Sequence, residues 1–311
     1  MSYASDDLRS TLQPAAAKPK DAAFKGSSYG RFYEEPPTES GPEGDAWFIR
    51  GQNLVIAYTR ARSGGVFTRK NQPDEWGILL PRAGMAIEVK AGGETKIAEG
   101  PAVVFIPPGD SVVTAKADGV MIRLHTTRSA DLAAKCPNNA RYEEGDPNIP
   151  ALEDWPAPVG GFKIRVYSGS VPPTPGRFGR LYRCTTIMVN FGSGRDGPRD
   201  VHKMSPHHHN DFEQYSIGIE GTFVHHLRWP WTTDLAHWRD DEHALCGTPS
   251  VAVIPPPSIH TSQAMDQGLN QLIDTFCPPR RDFSAKPGWV LNAADYPEPA
   301  DLVMSDKPLS E

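Results

Sequence analysis

Residues 205–221 read SPHHHNDFEQYSIGIEG, and this stretch decides how the chain folds. From Glu213 onward it alternates. Glu213, Tyr215, Ile217 and Ile219 fall on one side and Gln214, Ser216, Gly218 and Glu220 on the other, the period-two pattern of a β-strand. The same alternation upstream puts His207 and His209 on one face and turns His208 away, to the surface. Gly221 ends the run in a turn. Farther on, residues 247–257 read GTPSVAVIPPP, a short strand that stops at a proline corner, and His260 follows.

Working outward, an earlier part of the chain repeats this plan. WGILL (76–80) leads to Gly84 as EQYSIGI (213–219) leads to Gly221, and GPAVVFIPPG (100–109) resembles GTPSVAVIPPP. Other short apolar runs are NLVIAY (53–58), MAIEV (85–89), GVMIRL (119–124), RCTTIMVNF (183–191), TFVHHL (222–227) and NQLIDTF (270–276). The 31 prolines and 28 glycines break the chain too often for long helices. Two copies of strand, glycine turn, strand, proline corner and strand predict an all-β chain of two tandem double-stranded β-helix (jelly-roll) barrels.

The expected divisions are an N-terminal arm at 1–44, a barrel at 45–130, a Pro/Gly-rich linker at 131–178, a second barrel at 179–285 and a polar tail at 286–311. The linker holds one strand, in FKIRVY (162–167). Phe24, Tyr29, Phe32 and Tyr33 give the arm more aromatic surface than a solvated tail needs, so it should pack on the body or on a partner subunit. A homodimer or higher closed homo-oligomer is the expected assembly.

Length and charge narrow the function. A chain of 311 residues can bury two cores. A net charge of −6 and a pI near 5.9 give no electrostatic footprint for nucleic acid. No apolar run approaches the ~18 residues of a membrane span. The opening MSYASDDLRS lacks the layout of a signal peptide, which favours the cytoplasm. Cys136, Cys184, Cys246 and Cys277 form no CxxC pair and are expected to be reduced, buried thiols.

The chemistry lies in the histidines. Nine of the ten fall between residues 202 and 260. His207, His209 and His260, with a nearby carboxylate at Glu213, make a mixed nitrogen and oxygen set suited to Fe(II), Mn(II), Ni(II), Zn(II) or Cu(II). The series His207-x-His209-x3-Glu213, then Gly221, then Pro255-x-Pro257-x2-His260 resembles the two cupin motifs of germins and metal-dependent cupin dioxygenases. Two features depart from that pattern. Pro257 stands where a glycine is usual, and Glu213 is one residue too far from Gly221, so Gln214 fits the common spacing instead. Glu213 shares its face with Tyr215 and Ile217, and a barrel interior takes the apolar face. That favours Glu213 as fourth ligand, with Gln214 the alternative.

The resemblance implies one divalent transition metal per chain, with iron expected and manganese, nickel, zinc or copper as alternatives. It also implies a small oxygen-rich substrate, aromatic ones included, and a dioxygenase reaction. An isomerase or lyase acting on a sugar acid, and a non-catalytic small-molecule-binding protein, are the competing readings. His225 and His226 point opposite ways, so one should enter the barrel and carry protons. Arg228 can pair with a substrate carboxylate or lie at the surface. Trp229 and Trp231 open a segment that runs to Gly247 and can cover the barrel mouth. PPRRDF (278–283) reads as a solvated basic turn. The first copy lacks the ligands: VFTRKNQPDEW (66–76) has no histidine, Val112 stands in the place of His260, and Glu75 reads as an ordinary surface or turn acid. The N-terminal barrel is therefore expected to be metal-free.

Overall fold

The structure, a computed structural model, describes residues 7–12 and 23–303. It is nearly all β. One seven-stranded sheet runs Arg165–Ser168, Ala102–Ile106, Trp76–Leu80, Gly119–Thr126, Leu54–Ala61, Gly44–Arg50 and Glu39–Gly41. It faces a four-stranded sheet of Val66–Gln72, Gly109–Ala115, Ala86–Ala91 and Glu94–Glu99. In the second half the large sheet runs Ser28–Gly30, Ser250–Ile254, Glu213–Glu220, Leu269–Cys277, Met188–Asn190 and Leu181–Arg183. Its smaller partner is Glu242–Cys246, Phe223–Arg228 and Ile259–Ala264.

The two halves correspond strand for strand. Trp76–Leu80 lies between Ala102–Ile106 and Gly119–Thr126, as Glu213–Glu220 lies between Ser250–Ile254 and Leu269–Cys277. The matching turns agree in backbone too, with φ of +88° at Gly84 and +87° at Gly221. At Gly221 a Cβ would also come within 2.6 Å of Asn270 Oδ1, so glycine is required there on two counts.

Each large sheet is buried on both faces, which accounts for its near-continuous apolar runs. Trp76, Ile78 and Leu80 fill the N-terminal barrel with Ile87, Val89 and Val104. The opposite faces of the two large sheets pack on each other: Leu79, Phe105, Ile122 and Leu124 share one core with Tyr215, Ile217, Val253 and Ile273. This reverses the reading of residues 213–219. The apolar face goes to the larger core between the barrels, and the face bearing Gln214 and Ser216 lines the barrel interior.

Several divisions also differ from expectation. The arm is not separate: Ser28–Gly30 pairs with Val251–Val253 as an edge strand of the second barrel, and Phe24 and Phe32 are buried. Glu39–Gly41 already belongs to the first barrel. Within the linker, Arg165–Ser168 forms a strand against Ala102–Phe105. The tail is not simply polar. Trp289, Val290 and Tyr296 are buried, and Val290 bridges in parallel to Leu181. The four cysteines are free and buried, as expected. Among the described residues, no helix is long and apolar enough to cross a membrane.

Candidate metal centre

His207 and His260 sit opposite each other in an isolated antiparallel bridge, joined by two backbone hydrogen bonds of 3.1 and 2.8 Å. This bridge docks the HHH segment onto the strand Ile259–Ala264. The alternation foreseen for 207–209 then turns His209 inward beside them. Ring centroids lie 4.5 Å apart for His207 and His260, 5.0 Å for His209 and His260, and 6.5 Å for His207 and His209.

The tautomers follow from the partners. Nδ1 of His207 is 2.9 Å from the Ser205 carbonyl and Nδ1 of His260 is 3.0 Å from the Ser258 carbonyl. A carbonyl only accepts, so both Nδ1 atoms carry the proton and both Nε2 atoms keep a lone pair. At His209 neither ring nitrogen has a hydrogen-bond partner of good geometry, although the residue is buried. Burial, reinforced by repulsion from His260, holds His207 and His209 well below the usual imidazole range. Burial, with Arg280 nearby, brings His260 down to about 4. All three are therefore neutral at pH 7, the state that binds a metal.

The side chain that approaches the imidazoles from the neighbouring strand is Gln214. Its Oε1 lies 3.3 Å from His260 Nε2, so two acceptors face each other. Its amide nitrogen is directed to Ser216 Oγ at 3.2 Å and to Asp274 Oδ1 at 3.4 Å, which fixes the orientation of the amide. Acceptor against acceptor is unfavourable unless something positive lies between them, and a divalent ion would fill that role.

Among the described residues, no group of three or more His, Cys, Asp or Glu side chains stands as a ready metal site. At metal–nitrogen bonds of about 2.1 Å, two imidazoles at about 90–109° on one ion have centroids roughly 4.6–5.3 Å apart. The His207 and His209 rings, at 6.5 Å, are more open than that, so one of them would have to turn about its side-chain torsions for all three to reach a single ion.

Glu213 is elsewhere, and the expectation that it is the fourth ligand is corrected. Its carboxylate accepts from Gln52 N at 3.0 Å, Asn53 N at 2.9 Å and Tyr215 Oη at 2.8 Å, on the inter-barrel side of the strand. Glu75 is likewise no surface acid. It is fully buried and accepts from Thr185 N, Thr185 Oγ1 and Tyr296 Oη. Val112 does not take the place of His260, because the inward residues of Gly109–Ala115 are Ser111, Val113 and Ala115, past a register shift between Gly109 and Ser111.

Of the candidate proton carriers, His225 is the one that enters the barrel. It is buried, its Nδ1 lies 2.8 Å from Ser262 Oγ, and burial lowers it to about 4. Ser262 and His260 share a face of their strand, so His225 stands on the same side as the His260 imidazole. His226 points outward to His243 and Gln263. Arg228 is exposed and forms an ion pair with Asp241 at 2.6 Å. Both still border a cavity of about 190 Å³ that reaches His260. Trp229 is buried against Phe24, whereas Trp231 is exposed and stacked on Trp238.

Sequence reasoning missed two neighbours. Arg280, in the supposed solvated turn, is buried over the Phe283 and Phe212 rings, and Phe212 stacks on His209 at 3.9 Å. Asp274 behind Gln214 was the other. Period-two alternation from Ser216's partner strand could have placed Asp274, but nothing local distinguishes Arg280 from a surface arginine.

No protein-family model matches this sequence, and no curated protein matches it. Solved structures do resemble it in fold. AerE from Microcystis aeruginosa aligns over 78% of this chain and 96% of its own, with a TM-score of 0.53 and 7% identity. An IolB-like protein from Salmonella typhimurium LT2 covers 79% and 92%, with a TM-score of 0.51 and 15% identity. The 7S globulin of Momordica charantia covers 81% and 84%, with a TM-score of 0.51 and 14% identity.

Proposed function

Starting from a chain that folds as a bicupin, we propose that its C-terminal barrel is a metal-dependent active site for a small oxygen-bearing molecule and that the reaction is a dioxygenation. One observation carries this reading: three neutral imidazoles, His209 and His260 buried and His207 partly so, lie beside one another next to an amide oxygen that faces a lone pair and has no donor there. His207, His209, His260 and Gln214 would hold one divalent ion, iron foremost. When bound, the ion would polarise substrate oxygens and admit dioxygen chemistry.

The chain's own residues do the rest. A cavity of about 190 Å³ reaches His260 from the outer side, lined by His226, Arg228, Asp241 and His243. His225 would take or return a proton through Nε2, while Ser262 holds its ring by Nδ1. Arg228 at the rim can exchange Asp241 for a substrate carboxylate. Asp274 and Ser216 keep the Gln214 amide aimed at the ion. In a dioxygenation both atoms of O2 enter the product and the substrate supplies the electrons.

The neutral ligand set also supports a second reading. With no carboxylate on the ion its full charge acts on the substrate, which suits an isomerase or lyase on a hydroxylated acid. Metal analysis together with oxygen uptake on a panel of enediols, diketones and catechols separates the two. Iron with substrate-dependent oxygen consumption supports the dioxygenase. Zinc or manganese with turnover but no oxygen uptake supports the isomerase or lyase. Metal-free protein that takes up no ion on reconstitution overturns both.

A further inference from the structure

The N-terminal barrel lacks imidazole ligands but contains a buried arginine. Arg123, 8% exposed, projects from Gly119–Thr126 between the rings of Phe67 and Phe48, which lie 5.1 and 5.7 Å from its guanidinium carbon. Its Nη2 donates a hydrogen bond of 3.3 Å to Thr59 Oγ1, and its Nε is buried without a partner. Among the described residues no carboxylate forms an ion pair with it. Glu39, the acid that acts on it electrostatically, is bound to Lys135 at 2.7 Å. The neighbouring Arg69 is held by Asp131 and Gln72 and adds a second positive charge nearby.

A guanidinium taken out of water with so few bonds is costly unless a partner supplies the missing acceptors. Space for one exists. Arg123, Thr59, Phe67, Thr68 and Ser40 line a cavity of about 600 Å³ between the hairpin of Glu39–Gly41 and the strand Val66–Gln72. We propose that this cavity is a second ligand site, which takes a small monocarboxylate, its two oxygens on Arg123 and its body against Phe67 and the hydroxyls. A fork of N–H donors matches a carboxylate bidentately. Glu39 and Glu43 at the rim disfavour a dianion. Burial already pulls Arg123 down to about 10, and a bound anion would relieve that penalty.

The test is titration calorimetry of the full chain with benzoate and with lactate. At least one should saturate with a millimolar dissociation constant. Arg123→Met should weaken it tenfold or more, and Glu39→Gln should strengthen it severalfold. His260→Ala should leave it unchanged, which separates this site from carboxylate held by a metal in the other barrel. Failure of both ligands to saturate, or equal affinity in Arg123→Met, overturns the proposal, as does loss of binding in His260→Ala. Should Arg123→Met not fold, wild-type crystals soaked with 4-bromobenzoate decide. A bromine anomalous peak in the Arg123 cavity supports the site, and a peak confined to the imidazole cluster or none at all refutes it.

Discussion

Glu75 and Glu213 stand at matching positions in the two barrels, and each carboxylate reaches across to cap a turn of the other. Glu213 accepts from Gln52 N and Asn53 N in the turn after Gly44–Arg50, and Glu75 accepts from Thr185 N in the equivalent turn after Leu181–Arg183. A tyrosine hydroxyl completes each site, Tyr215 on Glu213 and Tyr296 on Glu75. The two carboxylates therefore tie the barrels together reciprocally. Glu213→Ala would leave two buried N–H groups and a hydroxyl unpaired. Each such loss costs about 1–3 kcal/mol, so denaturant unfolding should show a destabilisation of at least ~3 kcal/mol. Metal content measured beside it should be unchanged. Stoichiometric loss of metal with little loss of stability would return Glu213 to the ligand set.

Gln214→Ala should do the opposite. It removes the amide that faces His260 and should weaken metal retention tenfold or more, as measured by competition with a chelator, at modest cost in stability. Unchanged retention would leave three imidazoles as the whole protein contribution.

His225 and His226 should separate in turnover once a substrate is in hand. His225→Ala removes the inward imidazole and should lower kcat by about 10²-fold or more without releasing metal. His226→Ala, facing His243 outside the barrel, should change kcat less than about threefold. Equal effects would mean that neither carries the proton.

Acid should destabilise the metal-free chain through its buried imidazoles. His125 is stacked on Trp76 at 4.5 Å with both nitrogens unpartnered, and burial holds it well below 6.5. His225 is brought down to about 4. Between pH 6.5 and 4 the unfolded chain binds protons that the native chain does not, so stability is complete above pH 6.5 and falls as pH drops toward 4. His125→Phe keeps the stacking and removes the unpaired nitrogens. It should stabilise the protein at pH 7 by about 1 kcal/mol and make the acid limb shallower. A loss of stability at pH 7 would mean that the imidazole has a polar partner.

The arm belongs to the second barrel, so a form starting at residue 34 should lose an edge strand and the buried Phe24 and Phe32. At about 1.5–3 kcal/mol per buried aromatic ring, its melting temperature should fall by several degrees or more. An equal melting temperature would show that Ser28–Gly30 is dispensable.

By itself, the sequence determined the period-two strands, the duplicated strand, glycine-turn and proline-corner plan, and the grouping of His207, His209 and His260. These are local or repeated signals, set by side-chain alternation and backbone restriction. It did not determine which face of residues 213–220 looks into the barrel. That strand is buried on both sides, and only the packing of one large sheet on the other sends Tyr215 and Ile217 to the shared core and Gln214 to the imidazoles. The same packing buries Glu75 and Glu213 as mutual caps. The burial of Arg280 and Arg123, and the pairing of Ser28–Gly30 with a barrel more than two hundred residues away in sequence, also arise from contacts distant along the chain. No local pattern encodes such contacts, because each depends on which surfaces remain to be covered once both barrels have closed.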